Sequence, residues 1–267
     1  MADFLFNHLL QIEKKLLESN SIVLFLDYDG TLVSFKDRPT EVNTPKKIKK
    51  IIRQLIKNPK IIVIIVTGRS LHDIKKLLHI KGLSFIALHG LQIETLGGFK
   101  YSWEQANQAR LLVKSIKEHL QKEFKTEKGV IIEDKELTIV LHYRLLPVHK
   151  RQNVLNKFKK IVSYTDTKKI FEIIKGEKVI EARPKGWNKG KAIELFLAKH
   201  MKKKNFLSIY IGDDITDEDA FKYLGGKGIS IYVSNQSKRR TAAQYWVNDP
   251  DEVFFFLQFV SQFISQK

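Results

Sequence analysis

Residues 22–32 read IVLFLDYDGTL, and this run determines the kind of sheet that the chain forms. Its first five residues are apolar without interruption, which is typical of a strand buried on both faces of a parallel sheet. A second apolar run, IIVIIV, follows at residues 61–66, and a stretch with helical spacing of isoleucines separates the two. Strand, helix and strand in this order predict a doubly wound α/β sheet covered by helices.

The spacing of apolar residues predicts the other elements of this region. Thr44 and Pro45 have the residue types of an N-cap and a first helical residue. Thr216 and Asp219 have the spacing of a capping box at the start of a later helix. The remaining predicted elements are a first helix over 4–17, a helix from 70, a strand at 85–88, a helix over 189–204, strands at 207–211 and 229–233, and a helix from 249.

The pattern changes after Gly97-Gly98. The strands predicted after Gly98 alternate polar and apolar residues, as antiparallel strands with one solvated face do. The predicted elements here are a helix over 103–124, strands at 130–133 and 137–143, a helix over 147–161, and strands at 170–174 and 178–182. We therefore predict a discontinuous α/β core, residues 1–97 and 185–267, and an inserted α+β cap domain, residues 98–184.

The composition limits the classes of protein to consider. The 267 residues include no cysteine, which excludes disulfides, cysteine-ligated metals and a cysteine nucleophile. Lysine and arginine exceed aspartate and glutamate by 47 − 29 = 18, so an anionic partner is expected. No apolar run approaches the roughly 18–20 residues of a membrane helix, and we expect no signal peptide. We expect a cytoplasmic protein.

The basic surplus does not by itself indicate nucleic acid. The basic clusters at 46–50, 202–204 and 238–240 lie mainly on predicted helix faces and loops, without interleaved aromatic residues. A nucleic-acid reader carries a recognisable module or a stacking platform. We expect a monomer that acts on a small phosphorylated molecule and binds neither nucleic acid nor membrane; the remote alternative is a basic, non-catalytic binding protein.

Acidic residues follow two of the predicted core strands. Asp27 and Asp29 come after the first strand, and Asp213, Asp214 and Asp217 come after a late one. In a doubly wound sheet these loops meet at the carboxyl edge. So many carboxylates repel one another unless a cation neutralises them. Oxygen ligands without histidine or cysteine indicate Mg²⁺.

The same residue types suit phosphoryl transfer. One carboxylate at the end of the first strand can attack phosphorus and form an aspartyl-phosphate, and the second can act as acid and then as base. This chemistry requires mainly positioning and neutralisation of charge. A hydroxyl donor and a lysine would contribute to both, and Thr67 and Lys189, which begins the helix where the core resumes, are the candidates.

These motifs resemble those of the haloacid-dehalogenase-like (HAD) phosphatase superfamily. DYDGTL at 27–32 looks like its first motif, Thr67 matches the second, Lys189 the third and the cluster from Asp213 the fourth. The inserted domain falls at the type-two cap position. Similarity to trehalose-6-phosphate phosphatases lies in GDDITDE at 212–218, VTGR at 66–69, HG at 89–90, HYR at 142–144 and EARP at 181–184.

The resemblance implies a Rossmann-like core with an α+β cap, and it implies roles for single residues. Asp27 would be the nucleophile and Asp29 the acid and base. Mg²⁺ would be held by the Asp27 carboxylate, the Asp29 main-chain carbonyl and Asp213. Asp214 and Asp217 would lie near the metal.

The resemblance also implies the substrate, which would be a phosphorylated disaccharide, trehalose 6-phosphate. Members of the family commonly carry Gly-Lys at a cap turn where this chain has Gly176-Glu177, and Lys178 is the expected replacement. The nearest alternatives are related phosphatases that act on sucrose-phosphate or mannosyl-phosphoglycerate, and phosphomannomutase. The expected substrate-binding residues are Gly68, Arg69, His89, Gly90, Arg144, Lys178 and Glu181.

Overall fold

The structure is a computed structural model that describes residues 2–35, 41–176, 178–201, 205–234 and 240–265, with side chains to residue 263. It forms two compact units, Met1–Tyr101 with Asn188–Lys267, and Ser102–Trp187. The sequence placed these boundaries at 97/98 and 184/185, a few residues earlier. The strand Lys100–Ser102 explains the first difference, because it extends the sheet of the first unit.

The strands are β1 Asp3–Phe4, β2 Ser21–Asp27, β3 Ile61–Val66, β4 Ser84–Ala87, β5 Gln92–Glu94, β6 Lys100–Ser102, β7 Ile131–Asp134, β8 Ile139–His142, β9 Phe171–Gly176, β10 Val179–Pro184, β11 Phe206–Gly212, β12 Ile229–Val233 and β13 Tyr245–Val247. The α-helices are α1 Leu9–Glu18, α2 Lys46–Lys57, α3 Leu71–Leu78, α4 Ala106–Glu123, α5 Val148–Thr165, α6 Lys189–His200, α7 Glu218–Leu224 and α8 Pro250–Ser265.

The first unit, the core, contains a nine-stranded sheet in the order β1-β13-β12-β11-β2-β3-β4-β5-β6. Along this order, each neighbouring pair from β1 through β13, β12, β11, β2 and β3 to β4 is parallel, and β5 is antiparallel to β4. The chain leaves β2 toward β3 on one side and returns at β11 on the other, which makes the β2–β11 junction the topological switch point. The predicted doubly wound sheet is confirmed.

Helices cover both faces of this sheet because its central strands are apolar on both sides. In β2, Leu24 and Leu26 pack in the cluster that includes α2, α3 and α8. Val23 and Phe25 pack in the opposite cluster with α6 and α7. An uninterrupted apolar run therefore serves two cores at once.

Two predictions at the edges of the core were wrong. The predicted first helix over 4–17 does not begin at Phe4: Asp3 and Phe4 form β1, which pairs in parallel with β13, and α1 begins at Leu9. Thr44 does not cap α2, whose N-cap is Pro45, without a side-chain hydrogen bond. The Thr44 hydroxyl instead forms a hydrogen bond with the Tyr28 hydroxyl (2.7 Å) and donates to the carbonyl of Leu77 (3.1 Å).

The second unit, the cap, contains a four-stranded antiparallel sheet in the order β7-β8-β10-β9. Helices α4 and α5 pack on each other and carry buried apolar residues. Ile180 and Ala182 of β10 are fully buried, and strand alternation places Glu181 on the opposite face of the sheet. Glu177, the predicted departure at the cap turn, lies outside the described residues.

Candidate active site

The carboxyl ends of the two central strands bring the predicted acidic residues together. Asp27 is the last residue of β2, and Asp213 follows the last residue of β11. These strands are adjacent and parallel, with Leu26 opposite Ile211. The sheet alone therefore places both carboxylates at one edge, at the switch point where ligands of such sheets bind.

Lys189 lies between two buried carboxylates. Its Nζ donates to Asp27 Oδ1 at 2.9 Å and to Asp217 Oδ1 at 2.6 Å. The side chains of the three residues are 2%, 7% and 0% exposed, in the order Lys189, Asp27, Asp217. An ammonium so well enclosed is stable only while paired. The predicted lysine thus directly contacts the predicted nucleophile.

Asp217 accepts four hydrogen bonds. Its Oδ2 accepts from the main-chain N–H groups of Asp213 (3.0 Å) and Asp214 (2.9 Å). Its Oδ1 accepts from Lys189 and from the Tyr210 hydroxyl. A carboxylate offers about four lone-pair positions, so this chain's own donors satisfy Asp217. The residue holds the loop after β11 and the lysine in one arrangement.

The predicted capping box was wrong by two residues. The box is formed by Asp214 as the N-cap and Asp217 three positions on, around the short helical turn Ile215–Asp217 that leads into α7. The sequence had assigned it to Thr216 and Asp219. An aspartate caps as well as a threonine, and the loop begins its turn directly after Asp213.

Asp213 is held from the first motif. Thr31 Oγ1 donates to Asp213 Oδ1 at 3.0 Å. Gly30 has a φ of +84°, and a Cβ on it would lie 2.2 Å from Asp213 Oδ2. A side chain at position 30 would therefore displace this carboxylate. The sequence did not single out Thr31, although it belongs to the DYDGTL string.

The shared burial of these groups alters their pKa values. Burial raises the pKa of Asp27 to about 7, against the lowering effect of Lys189, and the charge of Asp217 raises it further. Burial, with the charges of Asp27 and Asp217, raises the pKa of Asp213 well above its ordinary value. Burial lowers the pKa of Lys189, but the two carboxylates outweigh it and raise the value overall.

Three carboxylates of this site can approach one metal ion. One oxygen from each of Asp27, Asp213 and Asp217 lies within 4.8 Å of the others. Lys189 is a cation that contacts two members of this cluster, Asp27 and Asp217. One ammonium among three clustered carboxylates leaves negative charge, which suits a hard cation bound by oxygen ligands.

Asp29 is paired with Arg69. The guanidinium donates to both carboxylate oxygens, from Nε to Oδ2 at 2.7 Å and from Nη2 to Oδ1 at 2.6 Å. Its carbon lies 5.5 Å from the centroid of the Tyr28 ring. Arg69 was expected to contact substrate, and in this structure it holds the predicted acid and base in a two-point ion pair.

The loop after β3 is tightly folded around Thr67. The Thr67 hydroxyl accepts from the main-chain N–H of Arg69 (3.1 Å), and the Thr67 carbonyl accepts from that of His89 (3.1 Å). Gly68 lies close to the His89 ring, since a Cβ at position 68 would lie 2.5 Å from His89 Nε2 and the ring would have to shift. These contacts bring the predicted residues Thr67, Gly68, Arg69 and His89 together, and Gly90 follows His89 in the turn Leu88–Gly90.

The predicted sugar contacts belong to the cap unit. Glu181 is 8% exposed on β10, and Arg144 is half-buried just after β8. Lys178 occupies the β9–β10 turn with a φ of +61°, and its carbonyl accepts from the Tyr143 N–H (3.1 Å). Arg183, which the sequence did not single out, lies on the same face of β10 as Glu181 and donates to Glu172 at 2.9 Å.

Comparison with solved structures identifies the fold. The C-terminal domain of a trehalose-6-phosphate phosphatase from C. albicans has a TM-score of 0.84 at 22% identity, over 98% of each chain. A haloacid dehalogenase-like hydrolase from B. subtilis has a TM-score of 0.56 at 14% identity, over 88% of this chain and 98% of the other. The fold is therefore HAD-like, as the sequence predicted.

Comparison with known sequences identifies the family. The probable trehalose-phosphate phosphatase J of Arabidopsis thaliana is 33% identical over 251 residues, which cover 88% of this chain and 66% of the relative. This chain thus spans about two thirds of the length of that relative. The family model described as trehalose-phosphatase matches residues 25–251, which include both core motif loops, the cap and Lys189. The chain belongs to the trehalose-phosphatase family.

Proposed function

We propose that this protein hydrolyses trehalose 6-phosphate to trehalose and phosphate through an aspartyl-phosphate on Asp27. The observation that carries the proposal is the buried contact of Asp27 with Lys189 beside Asp213, in a chain of this family. A nucleophile, a cation that orients it and a second carboxylate are the groups that phosphoryl transfer requires.

Asp27 is the nucleophile. Lys189 holds its Oδ1 at 2.9 Å, which fixes the orientation of the carboxylate before the substrate arrives. A carboxylate oxygen of Asp27 bonds to phosphorus, and the bond from phosphorus to the sugar oxygen breaks. Burial raises the pKa of Asp27, and the Lys189 charge opposes that rise and so favours the ionised, nucleophilic form.

Asp29 moves the protons. In the first step it gives a proton to the departing sugar oxygen, and in the second it takes one from the water that attacks the aspartyl-phosphate. Release of phosphate then regenerates the Asp27 carboxylate. Because Arg69 occupies both oxygens of Asp29 in this structure, the pair must open at least in part for Asp29 to take up its proton and reach the sugar oxygen.

The donor set fits Mg²⁺. The carboxylates of Asp27 and Asp213 and the main-chain carbonyl of Asp29 would hold it, and all are hard oxygen ligands. When bound, the ion neutralises charge on the transferring phosphoryl group. Asp217 satisfies its oxygens with four donors, and Asp214 caps the adjoining turn. We therefore assign these two to support of the ligands, which refines their expected place near the metal.

Cap residues would select the sugar. Arg144 and Glu181 are charged groups of the cap at positions that match sugar contacts in the family, and Lys178 is the expected replacement for the cap lysine that the family commonly carries. In the core, Thr67, Gly68, His89 and Gly90 are the residues expected to contact the phosphate. A site built from such donors and acceptors rejects a mismatched sugar, since its polar groups then go unpaired.

The test is phosphate release by the purified protein with Mg²⁺ over a panel of trehalose 6-phosphate, sucrose-phosphate, mannosyl-phosphoglycerate and mannose phosphate. We expect kcat/KM for trehalose 6-phosphate to exceed the others by about 10-fold or more. The Asp27→Asn protein, which lacks the nucleophile, is the matched control. A higher kcat/KM for another sugar would reassign the substrate, and the absence of turnover on the whole panel would refute the function.

The expected partners and location remain predictions. We propose that the protein acts as a monomer in the cytoplasm and binds neither nucleic acid nor membrane. Within the described ranges, no helix combines the length and apolar content required to cross a bilayer. A basic, non-catalytic binding protein would show salt-sensitive association and no Mg²⁺-dependent turnover, so the same assay separates the two.

A further inference from the structure

We propose that Tyr210 is a positioning residue for this reaction: its hydroxyl, acting through Asp217, sets where the Lys189 ammonium lies relative to Asp27. The inference rests on the proposed function, because it concerns the geometry of the same nucleophile. Tyr210 lies in the apolar strand β11, and its hydroxyl donates to Asp217 rather than to Asp27.

The orientation of β11 brings this hydroxyl to the site. Ile209 and Ile211 point into the cluster with α2 and α8, and Tyr210 points into the opposite cluster with α6 and α7. Lys189 begins α6, and Asp217 immediately precedes α7. The face that Tyr210 occupies is therefore the face from which the lysine and its second carboxylate reach the edge of the sheet.

The two ends of the Asp217 carboxylate are held differently. Oδ2 is held by two main-chain N–H groups, at 3.0 and 2.9 Å, which move only with the loop after β11. Oδ1 is held by two side chains, Lys189 and Tyr210. Since the lysine has alternative acceptors and the tyrosine is fixed in the core, the tyrosine is the stationary reference for Oδ1.

Lys189 divides its donors between Asp217 Oδ1 at 2.6 Å and Asp27 Oδ1 at 2.9 Å. The Tyr210 hydroxyl competes for the same Oδ1 and so weakens its hold on the ammonium. Without that hydroxyl, Asp217 becomes the stronger acceptor and draws Lys189 away from Asp27. The nucleophile then loses part of its orienting contact, and the rate of phosphoryl transfer falls.

The ring of Tyr210 is held independently of its hydroxyl. It is fully buried and packs edge-on against Phe221, with ring centroids 5.6 Å apart and an interplanar angle of 82°. Phenylalanine at this position keeps the ring contacts and removes only the oxygen. Tyr210→Phe is therefore a clean test, and Tyr245→Phe, in the same sheet two strands away, is the matched control.

The kinetic experiment compares wild type, Tyr210→Phe and Tyr245→Phe on trehalose 6-phosphate and on p-nitrophenyl phosphate. Each kcat is expressed per folded molecule, and the folded fraction of each protein is measured by thermal unfolding. We expect kcat of Tyr210→Phe to fall about 10-fold on both substrates, with KM within about 2-fold, because one hydrogen bond to a charged group is lost from the reacting geometry. Tyr245→Phe should keep the wild-type kcat. A merely structural tyrosine would lower the unfolding temperature and leave kcat per folded molecule unchanged, and that result would overturn the inference.

Two further measurements separate this inference from the proposed function. In an Asp217→Asn background, Tyr210→Phe should change kcat by less than about 2-fold, because the two residues act as one unit; full additivity would contradict the mechanism. A crystal structure of Tyr210→Phe should show Lys189 Nζ moved away from Asp27 Oδ1. An unchanged contact would overturn the inference whatever the substrate, whereas failure of wild type to hydrolyse trehalose 6-phosphate would refute only the substrate.

Discussion

Replacing the proposed nucleophile, Asp27, should abolish turnover and yet stabilise the folded protein. Asp27→Asn preserves the shape of the side chain and removes the charge that attacks phosphorus. We expect kcat to fall about 10³-fold or more, which corresponds to roughly 4 kcal/mol of lost transition-state stabilisation. The gain in stability follows from burial, since the Asp27 side chain is only 7% exposed.

The size of that gain can be worked out from the site. A pKa of about 7 in place of 3.8 corresponds to about 4 kcal/mol of destabilisation of the ionised form, at ~1.4 kcal/mol for each factor of ten. That pKa already includes the attraction between Asp27 and Lys189. Asparagine carries no charge and avoids this cost, so we expect a free energy of unfolding up to about 4 kcal/mol higher than that of wild type at pH 8.

The raised pKa of Asp27 also makes the free energy of unfolding depend on pH. Between pH 4 and 7 the folded protein retains a proton on Asp27 that the unfolded chain has released, so the wild-type free energy of unfolding falls as the pH rises through that window. Asparagine carries no such proton. The advantage of Asp27→Asn should therefore be small or reversed near pH 4, grow toward pH 7 and level off above it.

The assay is urea unfolding in EDTA at several pH values, so that no divalent ion neutralises the cluster. Asp3→Asn, which changes an exposed aspartate of the same unit, is the matched control and should show no comparable trend. An Asp27→Asn protein that is less stable than wild type at pH 8, or equally advantaged at pH 4 and pH 8, would refute the electrostatic reasoning. Near-normal turnover would refute the assignment of the nucleophile.

Three other perturbations test separate parts of the site. Lys189→Met leaves Asp27 and Asp217 buried without their ammonium, so the free energy of unfolding should fall by about 3–5 kcal/mol. Lys199→Met, at an exposed position of α6, is the control, and an equal effect of the two substitutions would contradict the buried ion pairs. Exhaustive EDTA treatment should abolish turnover and leave a cooperative thermal transition, because oxygen sites for Mg²⁺ seldom hold a fold together; persisting activity would remove Mg²⁺ from the scheme. Arg144→Ala and Glu181→Ala should each lower kcat/KM for trehalose 6-phosphate by about 10- to 100-fold and change turnover of p-nitrophenyl phosphate much less. Equal losses on both substrates would mean that these residues act in chemistry or folding.

The central sheet could be predicted because its sequence signal is strong. The apolar runs of β2, β3 and β11 are too uniform for amphipathic helices and match strands covered on both faces. Once these strands are parallel neighbours, the edge at which Asp27 and Asp213 meet follows from chain direction alone. The short strands β1 and β13, at one side of the sheet, could not be predicted, since two or three residues are too few to show an apolar pattern.

Capping residues were harder to predict because several polar residues near a helix compete for the same role. Thr44 has the residue type of an N-cap, yet its hydroxyl is used by Tyr28 and the Leu77 carbonyl. Asp214 and Thr216 both suit the turn before α7, and the choice of Asp214 depends on Asp217 accepting main-chain N–H groups. Such choices depend on tertiary neighbours that a local sequence window does not contain.

Tyr210 shows the same limit within the site itself. In the sequence it is one aromatic residue in a buried strand, and aromatic residues in strands are usually explained by packing. Its hydroxyl matters because β11 directs it toward α6 and α7, where Lys189 and Asp217 enter. That convergence joins residues from three elements and has no local spacing that could reveal it.

The two faces of the core sheet support different halves of the proposed chemistry. On one face, Tyr28 packs with α2 and α3 and lies beneath the guanidinium of Arg69, which holds Asp29. On the other, the packing of α6 and α7 carries Lys189, which holds Asp27. In the proposed reaction, proton transfer is thus anchored from one core and nucleophilic attack from the other, and the two meet at the end of β2. A change in packing on the α2 and α3 face should therefore alter proton transfer more than nucleophilic attack, and a change on the α6 and α7 face should do the opposite. In this way one apolar strand can position two carboxylates with different roles.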